Sequence, residues 1–147
     1  MIHSKNTTVT EIRKFNRFYL VNMGFLNFNY WGSKYSIAET RILFEIMTHG
    51  ICIQSDIVKA LHIDKSYLSR IIYRLCKKGL VEKKNAKHDK RAMEIMLTDK
   101  GKTESEKLIA LTNQRIESQI VGLSPDDCDK LCDALCTVMT ILEKENV

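Results

Sequence analysis

The chain has 147 residues, of which 44% are hydrophobic and 28% charged, and its formal net charge is +5 at pH 7. This length predicts one compact domain, or one domain with a dimerisation arm. No segment approaches the roughly 18 consecutive apolar residues that span a bilayer, and residues 1–8 lack the apolar region of a signal peptide. We therefore expect a cytoplasmic protein that does not cross a membrane.

The five cysteines predict reduced thiols, because their number is odd and no pair has the Cys-x-x-Cys spacing of a zinc or redox motif. Cys128, Cys132 and Cys136 follow one side of a predicted last helix, and we interpret them as small buried hydrophobic residues. A disulfide within one helix is unfavourable because the Cβ vectors diverge, whereas one between two subunits stays open. No metal site and no cofactor are expected.

The positive charge is concentrated in one part of the chain. Residues 64–91 contain ten basic and three acidic residues, a net charge of +7, whereas the remaining 119 residues carry −2. Such a concentration is typical of a surface that meets phosphate groups. A solvated basic helix explains the charge alone equally well, so the interpretation depends on the elements that carry it.

Residues 10–31 are predicted to form a helix with hydrophobic residues on two sides. One stripe at helical spacing contains Ile12, Phe15, Tyr19, Met23 and Leu26, and a second contains Phe18, Val21, Phe25 and Phe28. A helix of this kind needs two partners. We expect its own domain and a second subunit, although a single thick core explains the pattern equally well.

A short break precedes two more predicted helices. Ser36 lies three residues before Glu39, which is the spacing of a capping box, and the helix that begins there is predicted to end at Gly50. The apolar residues 51–53 favour a small strand. The second helix carries Ile57, Val58 and Leu61.

Residues 65–78 predict an amphipathic helix. Its inward stripe is Leu68, Ile71, Ile72 and Leu75, and Gly79 is placed to end it in the left-handed conformation. Short donors near the start of a helix, with arginines that reach base edges or phosphates, suit the major groove of DNA. The opposite face carries such side chains: Ser66, Ser69, Arg70, Tyr73, Arg74 and Lys77.

A β-hairpin with a charged tip and two further helices complete the chain. Residues 80–84 and 91–98 have strand character, with Met93, Ile95 and Leu97 on one face. Thr98 is placed to cap a polar helix over residues 99–121, and Ser124 with Pro125 to begin a last helix that ends near Lys144. That last helix needs a partner chain for its apolar face of Leu131, Leu135, Val138 and Leu142.

These elements predict a mainly α-helical α+β fold with a small β-hairpin wing, in a single domain over residues 1–147. Within it we expect a winged helix-turn-helix lobe at residues 36–98 and dimerisation helices at residues 10–31 and 99–145. The sequence has no Gly-x-Ser-x-Gly, glycine-rich phosphate loop or His-Glu-x-x-His motif, so we do not expect an enzyme.

This order of elements resembles the MarR family of transcriptional regulators over nearly the whole chain. The joined recognition-helix and wing motifs are specific, whereas a helix-turn-helix pattern alone is weak. The motifs are Asp64-Lys65-Ser66-Tyr67-Leu68-Ser69-Arg70, Leu75-Cys76-Lys77-Lys78-Gly79-Leu80-Val81-Glu82, Asp89-Lys90-Arg91 and Leu97-Thr98-Asp99-Lys100-Gly101.

The resemblance implies roles for individual residues in binding duplex DNA. Ser66, Tyr67, Ser69 and Arg70 would face the major groove, and Arg91 would enter the minor groove from a wing loop held by Asp89. A narrow minor groove concentrates negative potential and favours an inserted arginine. The remaining DNA-binding residues, expected mostly as phosphate contacts that carry little sequence information, are Lys65, Arg74, Lys77, Lys83, Lys84, Lys87 and Lys90.

The resemblance also implies a ligand-responsive repressor that binds an inverted repeat as a homodimer, with half-site centres about 10 bp apart. A small aromatic effector is expected because relatives bind such ligands. Core packing explains the residues that are candidates for the effector cavity as well; these are Tyr19, Phe25, Asn29, Tyr30 and Trp31. The alternative function is a winged-helix module that contacts proteins without reading DNA sequence, for which an apolar or acidic recognition face is expected.

Overall fold

The computed structural model describes residues 2–24, 26, 29–88 and 91–144, and at Trp31 the backbone alone. Six helices and one antiparallel pair of strands follow one another along these residues, with a 3-10 turn at Tyr30–Gly32. The elements are α1 (Lys5–Asn22), α2 (Ile37–His49), α3 (Gln54–Leu61), α4 (Lys65–Lys77), β1 (Val81–Asn85), β2 (Met93–Leu97), α5 (Asp99–Ile120) and α6 (Pro125–Glu143). The mainly α-helical fold with a small β-hairpin is thus confirmed.

One hydrophobic core joins α2, α3, α4 and the hairpin. Each of these elements contributes aliphatic side chains, as the predicted inward stripes require, and burial of such side chains is the main favourable term in folding. The largest fully buried hydrophobic residues are Ile42, Leu43, Ile46, Ile57, Leu68, Ile71, Ile72, Leu75, Leu80 and Ile95.

Local signals in the sequence determine several helix ends, and the structure confirms them. The Glu39 N–H donates to the Ser36 hydroxyl at 3.1 Å, and the Ser36 N–H donates to the Glu39 carboxylate at 3.3 Å, so the capping box is complete. Gly79, just beyond α4, has φ +73°, which glycine adopts without strain. Ser124 caps α6, and Pro125 is its first residue.

The hairpin pairs Val81 with Leu97 at its base. The strand predicted at residues 51–53 is present as one bridge, in which Cys52 and Ile95 exchange backbone hydrogen bonds of 3.1 and 2.7 Å. This bridge ties the hairpin to the link between α2 and α3. On the predicted inward face, Ile95 and Leu97 are buried, but Met93 is 40% exposed because it lies toward the tip, beyond the core.

The first helix differs from its prediction at residues 10–31. α1 begins earlier, at Lys5, because the Ser4 hydroxyl accepts the Thr7 N–H at 3.2 Å and so caps the helix. It ends at Asn22, and the chain turns at Gly24 with φ +68°. The prediction followed the apolar residues alone and therefore missed the polar cap. Phe25 and Phe28, assigned to its second stripe, lie outside the described residues.

Contacts divide the chain into two compact units, residues 1–109 and 110–147. The first contains the core and the hairpin, and the second contains α6. Neither α1 nor α6 has a buried residue among those described. The boundaries of a DNA-binding lobe and of dimerisation helices stay a prediction. No helix in the described ranges is long and apolar enough to cross a membrane.

Hydrogen bonds fasten the start of α5 to the end of α4. Thr98 donates its N–H to the Leu80 carbonyl at 3.0 Å and its hydroxyl to the Gly79 carbonyl at 2.6 Å. The Lys100 ammonium donates to the Lys78 carbonyl at 2.9 Å. Three consecutive carbonyl groups just beyond α4 thus accept hydrogen bonds from the segment that begins α5, as buried backbone groups generally do.

Gly101 lies against this turn without room for a side chain. A Cβ on Gly101 would overlap the Leu80 carbonyl oxygen and lie 2.9 Å from its carbon. We expect Gly101→Ala to lower the free energy of unfolding by about 1–3 kcal/mol, the usual cost of overpacking. Gly122→Ala is the control, because a Cβ there meets nothing within 4 Å. Urea unfolding at one protein concentration measures both, and equal effects would show that the turn tolerates a side chain.

Candidate DNA-binding surface

α4 is held by one face and exposed on the other. Leu68, Ile71, Ile72 and Leu75 are 0% exposed, as the sequence predicts. The helix begins where the Asp64 carboxylate accepts the Tyr67 N–H at 2.9 Å. The core therefore determines which side chains of α4 face outward.

Most of the predicted DNA-binding residues on α4 lie on that outward face. The Arg70 guanidinium is 6.0 Å from the centre of the Tyr67 ring, and the Lys77 ammonium is 4.9 Å from the centre of the Tyr73 ring. Each cation–π contact restrains a long side chain along the helix. The exposed residues predicted for the site are Lys65, Ser66, Tyr67, Arg70, Arg74 and Lys77.

Ser69 differs from these residues because it is half-buried. Its hydroxyl donates to Oε1 of Gln54, the first residue of α3, at 3.2 Å. This contact was not predicted, because it joins two helices and cannot be found from spacing within one of them. Tyr73, predicted on this face but given no individual DNA contact, is 58% exposed on the same side of α4.

The wing adds exposed cations. Lys84, Lys87 and Arg91 are exposed, and Lys84 lies 3.6 Å from Glu82. An exposed ion pair of this kind contributes little stability, so it does not prevent Lys84 from meeting a phosphate. Asp89 and Lys90 lie outside the described residues, so their roles in the wing loop stay predictions.

A cleft of about 400 Å³ lies between α3, the start of α4 and the wing, and we call it the α3–wing cleft. Three cations line it, Lys65, Lys83 and Arg91, together with the polar residues Gln54 and Ser55 and the apolar residues Ile53, Val58, Ala92 and Met93. None of the described residues that line it is acidic. The cleft is therefore suited to an anion.

A buried carboxylate neutralises part of the charge near the C-terminal end of α4. The Glu39 side chain is 7% exposed, and its oxygens lie 3.1 Å from Lys78 Nζ and 3.9 Å from Arg74 Nε. Arg74 is thus held partly by Glu39, while more than half of its side chain remains exposed. Its predicted phosphate contact has to compete with this carboxylate.

Tyr35 connects α5 to the same cluster. Its hydroxyl donates to Glu104 at 2.9 Å, and burial together with this acceptor raises the pKa of Tyr35 to about 12. The hydrogen bond from Tyr35, followed by one from Lys107, lowers the pKa of Glu104. At neutral pH, Tyr35 is therefore uncharged and Glu104 is ionised.

The five free cysteines differ in exposure. Cys52 is buried and Cys76 half-buried, and burial raises the pKa of both thiols, which makes them poor nucleophiles. Cys132 and Cys136 are exposed and Cys128 is half-buried. The prediction that these three are buried is therefore wrong for the single chain, because no described residue covers that side of α6.

The residues predicted as candidates for a ligand cavity lie in several different environments. Tyr30 is buried and packs edge-to-face on Phe44, with ring centres 6.3 Å apart, so it is a core residue. Tyr19 stacks on Phe15 at 5.6 Å. Phe25 and the Trp31 side chain lie outside the described part of the chain, and Asn29 is exposed. Within the described ranges, no group of three candidate metal ligands is found.

α3, the turn at His62 with φ +51° and α4 form a helix-turn-helix, and the hairpin beside it forms a wing. This arrangement defines a winged helix-turn-helix protein. The model of the MarR family matches residues 35–93, which contain α2 to α4 and the start of the wing. A comparison with curated proteins found no match.

Solved structures share this fold over most of the chain. A mutant MarR from E. coli complexed with operator DNA is 23% identical, with coverage of 93% of this chain and 99% of its own and a TM-score of 0.73. FabT from Streptococcus pneumoniae in complex with DNA is 22% identical, with 95% coverage of each chain and a TM-score of 0.72. BpsR from Bordetella bronchiseptica, whose DNA binding is regulated by 6-hydroxynicotinic acid, is 23% identical, with coverage of 88% and 98% and a TM-score of 0.72.

The family match and the structural likeness agree with the motifs in α4 and the wing. Residues 35–93 thus match the model of the MarR family, and the chain as a whole has the fold of the solved structures that it resembles.

Glu39 provides a test of how α4 presents its charge. Glu39→Gln keeps the capping box, since glutamine also fits that position, but removes the charge near Arg74 and Lys78. We expect severalfold tighter binding to any duplex and a steeper salt dependence, because two cations become available to phosphates. Glu117→Gln, the same charge change at an exposed position of α5, is the control. Equal effects of both variants in a salt titration would mean that only net charge matters.

Proposed function

We propose that the chain is a transcriptional regulator that binds duplex DNA with sequence specificity. The observation that carries this proposal is the core-held α4, whose outward face of donors and cations adjoins the cations of the wing. Ser66, Tyr67 and Arg70 would contact base edges in the major groove, and Arg91 would enter the minor groove. Lys77, Lys84 and Lys87 would contact phosphates.

This outward face favours DNA over a protein partner. A module that only contacts proteins is expected to have an apolar or acidic recognition face, but α4 exposes Lys65, Arg70, Arg74 and Lys77. The tyrosines among these cations suit sugar and phosphate groups as well, since each ring has a polar hydroxyl. Selection of bound duplexes from a random pool by the purified protein tests the proposal, because it reports the preferred sequence and its symmetry together.

We further propose that the chain acts as a homodimer. α1 exposes Ile12, Phe15 and Phe18 by 45 to 63%, and α6 exposes a row of aliphatic side chains. Apolar patches of this kind mark interaction surfaces, and a second copy is the partner that a two-fold dimer supplies. Two copies of α4 would then meet successive major grooves of an inverted repeat with half-site centres about 10 bp apart. Binding there would occlude a promoter and repress it.

A small aromatic effector belongs to this proposal, as the family resemblance implies. The DNA binding of the similar protein BpsR is regulated by 6-hydroxynicotinic acid. An effector weakens DNA binding only by its differential affinity for the two states of the protein, typically about 1–3 kcal/mol. The first molecule to test is 6-hydroxynicotinic acid, by measuring DNA affinity with and without it. If neither this acid nor a panel of other aromatic acids changes the DNA affinity, the effector is removed from the proposal.

The dimer is tested by placing a charge in the exposed aliphatic row of α6, which consists of Leu131, Leu135, Val138 and Leu142. Leu135→Glu should convert a dimer at micromolar concentration to a monomer, because a carboxylate would be buried without a partner. Thr140→Glu adds the same charge toward the other side of the helix, about 140° from Leu135 at 100° per residue, and should leave the dimer intact. Light scattering measures both variants. A monodisperse wild-type monomer at the same concentration would contradict the dimer.

Sequence-specific binding is tested by comparing the recognition helix with the wing. Arg70→Ala should cost about 1–3 kcal/mol on the selected duplex and much less on a scrambled one, because it removes a base contact. Lys87→Ala should weaken both duplexes equally, with a salt slope shallower by about 0.9. Arg91→Ala should weaken binding most where A·T-rich flanks narrow the minor groove.

The control for this series is Lys14→Ala, which removes an exposed lysine from α1, outside the basic segment. Each variant is titrated with salt on the selected and the scrambled duplex. If Arg70→Ala, Lys87→Ala and Arg91→Ala each lower the affinity for both duplexes equally, the surface attracts DNA by charge alone. That result would contradict a sequence-specific regulator.

A further inference from the structure

Gln54 lies between the recognition helix and the wing and has no part in the predicted set of DNA-binding residues. It is half-buried, and its Oε1 accepts the Ser69 hydroxyl at 3.2 Å. No described residue accepts a hydrogen bond from its amide nitrogen. The oxygen of this amide is therefore engaged with α4, while its two N–H donors are available to a ligand.

The surroundings of Gln54 indicate what that ligand is. Gln54 lines the α3–wing cleft together with Lys65, Lys83 and Arg91, which come from three different parts of the fold. Their charges attract an anion, and the N–H donors of an amide require an acceptor. A phosphodiester supplies both the charge and the acceptor oxygens, and its strand would run between α4 and the wing.

We propose that the α3–wing cleft holds a DNA backbone phosphate and that Gln54 donates its amide N–H to it. Ser69 is then a positioning residue, because its hydroxyl fixes the amide of Gln54 and does not contact a base. This inference rests on the proposed DNA-binding function and adds a phosphate site and the residue that orients it. The competing arrangement is that Gln54 only orients Ser69, which contacts the DNA itself.

Gln54→Glu tests whether the cleft meets a phosphate. The variant keeps an oxygen that accepts the Ser69 hydroxyl, but it replaces the N–H donors with a carboxylate. We expect a loss of affinity of about tenfold or more on selected and scrambled duplexes alike, because like charges would face each other across the contact. An acid in the first turn suits a helix, so α3 should fold, and thermal unfolding checks this. Gln114→Glu, at an exposed position of α5, is the matched control.

Two further variants identify the kind of contact. Gln54→Ala should weaken both duplexes without changing the salt slope, because a neutral amide displaces no counterion, whereas Lys83→Ala should make the slope shallower by about 0.9. Ser69→Ala should weaken both duplexes equally and cause no further loss in a chain that already carries Gln54→Ala.

Several results would overturn the inference. Binding of Gln54→Glu within twofold of wild type, or equal to that of Gln114→Glu, would remove the phosphate contact. A loss by Gln54→Ala or Ser69→Ala on the selected duplex alone would assign a base contact instead. If wild type binds the selected duplex while Gln54→Glu is unaffected, only this inference fails, whereas a wild type that binds no duplex overturns the proposed function as well.

Discussion

The burial of one face of α4 is the interaction on which the candidate surface depends. Leu68, Ile71, Ile72 and Leu75 are completely enclosed, so α4 cannot turn about its axis without exposing them. A rotation by one residue, about 100°, would bring Ser69 and Arg70 toward the core. A charge buried there without a partner would cost several kcal/mol, so the apolar stripe also determines where the cations lie.

The positive charge of this surface is partly neutralised at one end of α4. Glu39 engages Arg74 and Lys78 near the end of α4, whereas the α3–wing cleft, toward the start of the same helix, has three cations and no acid among its described residues. The cations near the end of α4 thus share a carboxylate partner, whereas cations near its start line a cleft. A phosphate group in that cleft would lie between the recognition helix and the wing.

Much of the fold was predictable because its signals are local. The inward stripe of α4, the capping box at Ser36 and the turn at Gly79 each depend on residues within one or two helical turns, and the structure confirms all three. The start of α1 was missed because a single polar residue, Ser4, caps a helix whose apolar pattern becomes dense only later.

The candidate site was predictable only in part, because some of its features depend on contacts between elements. Side-chain types and helical spacing were enough to place Arg70 and Lys77 on an exposed face. The hydrogen bond between Gln54 and Ser69 joins residues 15 apart in two helices, and no periodicity reveals it. The exposure of Cys132 and Cys136 was missed because a hydrophobic pattern indicates that a face will be covered but does not say by which chain.

The anchoring of the hairpin at its base has a mechanical consequence. Thr98, Leu80 and Gly79 lock the base, and the Cys52–Ile95 bridge holds it midway, whereas Lys87 at the tip has no such support among the described residues. The wing is therefore anchored to the rest of the domain at its base and at Ile95, and least anchored at its tip. We therefore expect the charged tip to adjust to the width of a groove more readily than the base, which is bonded to the packed helices through Cys52 and Thr98.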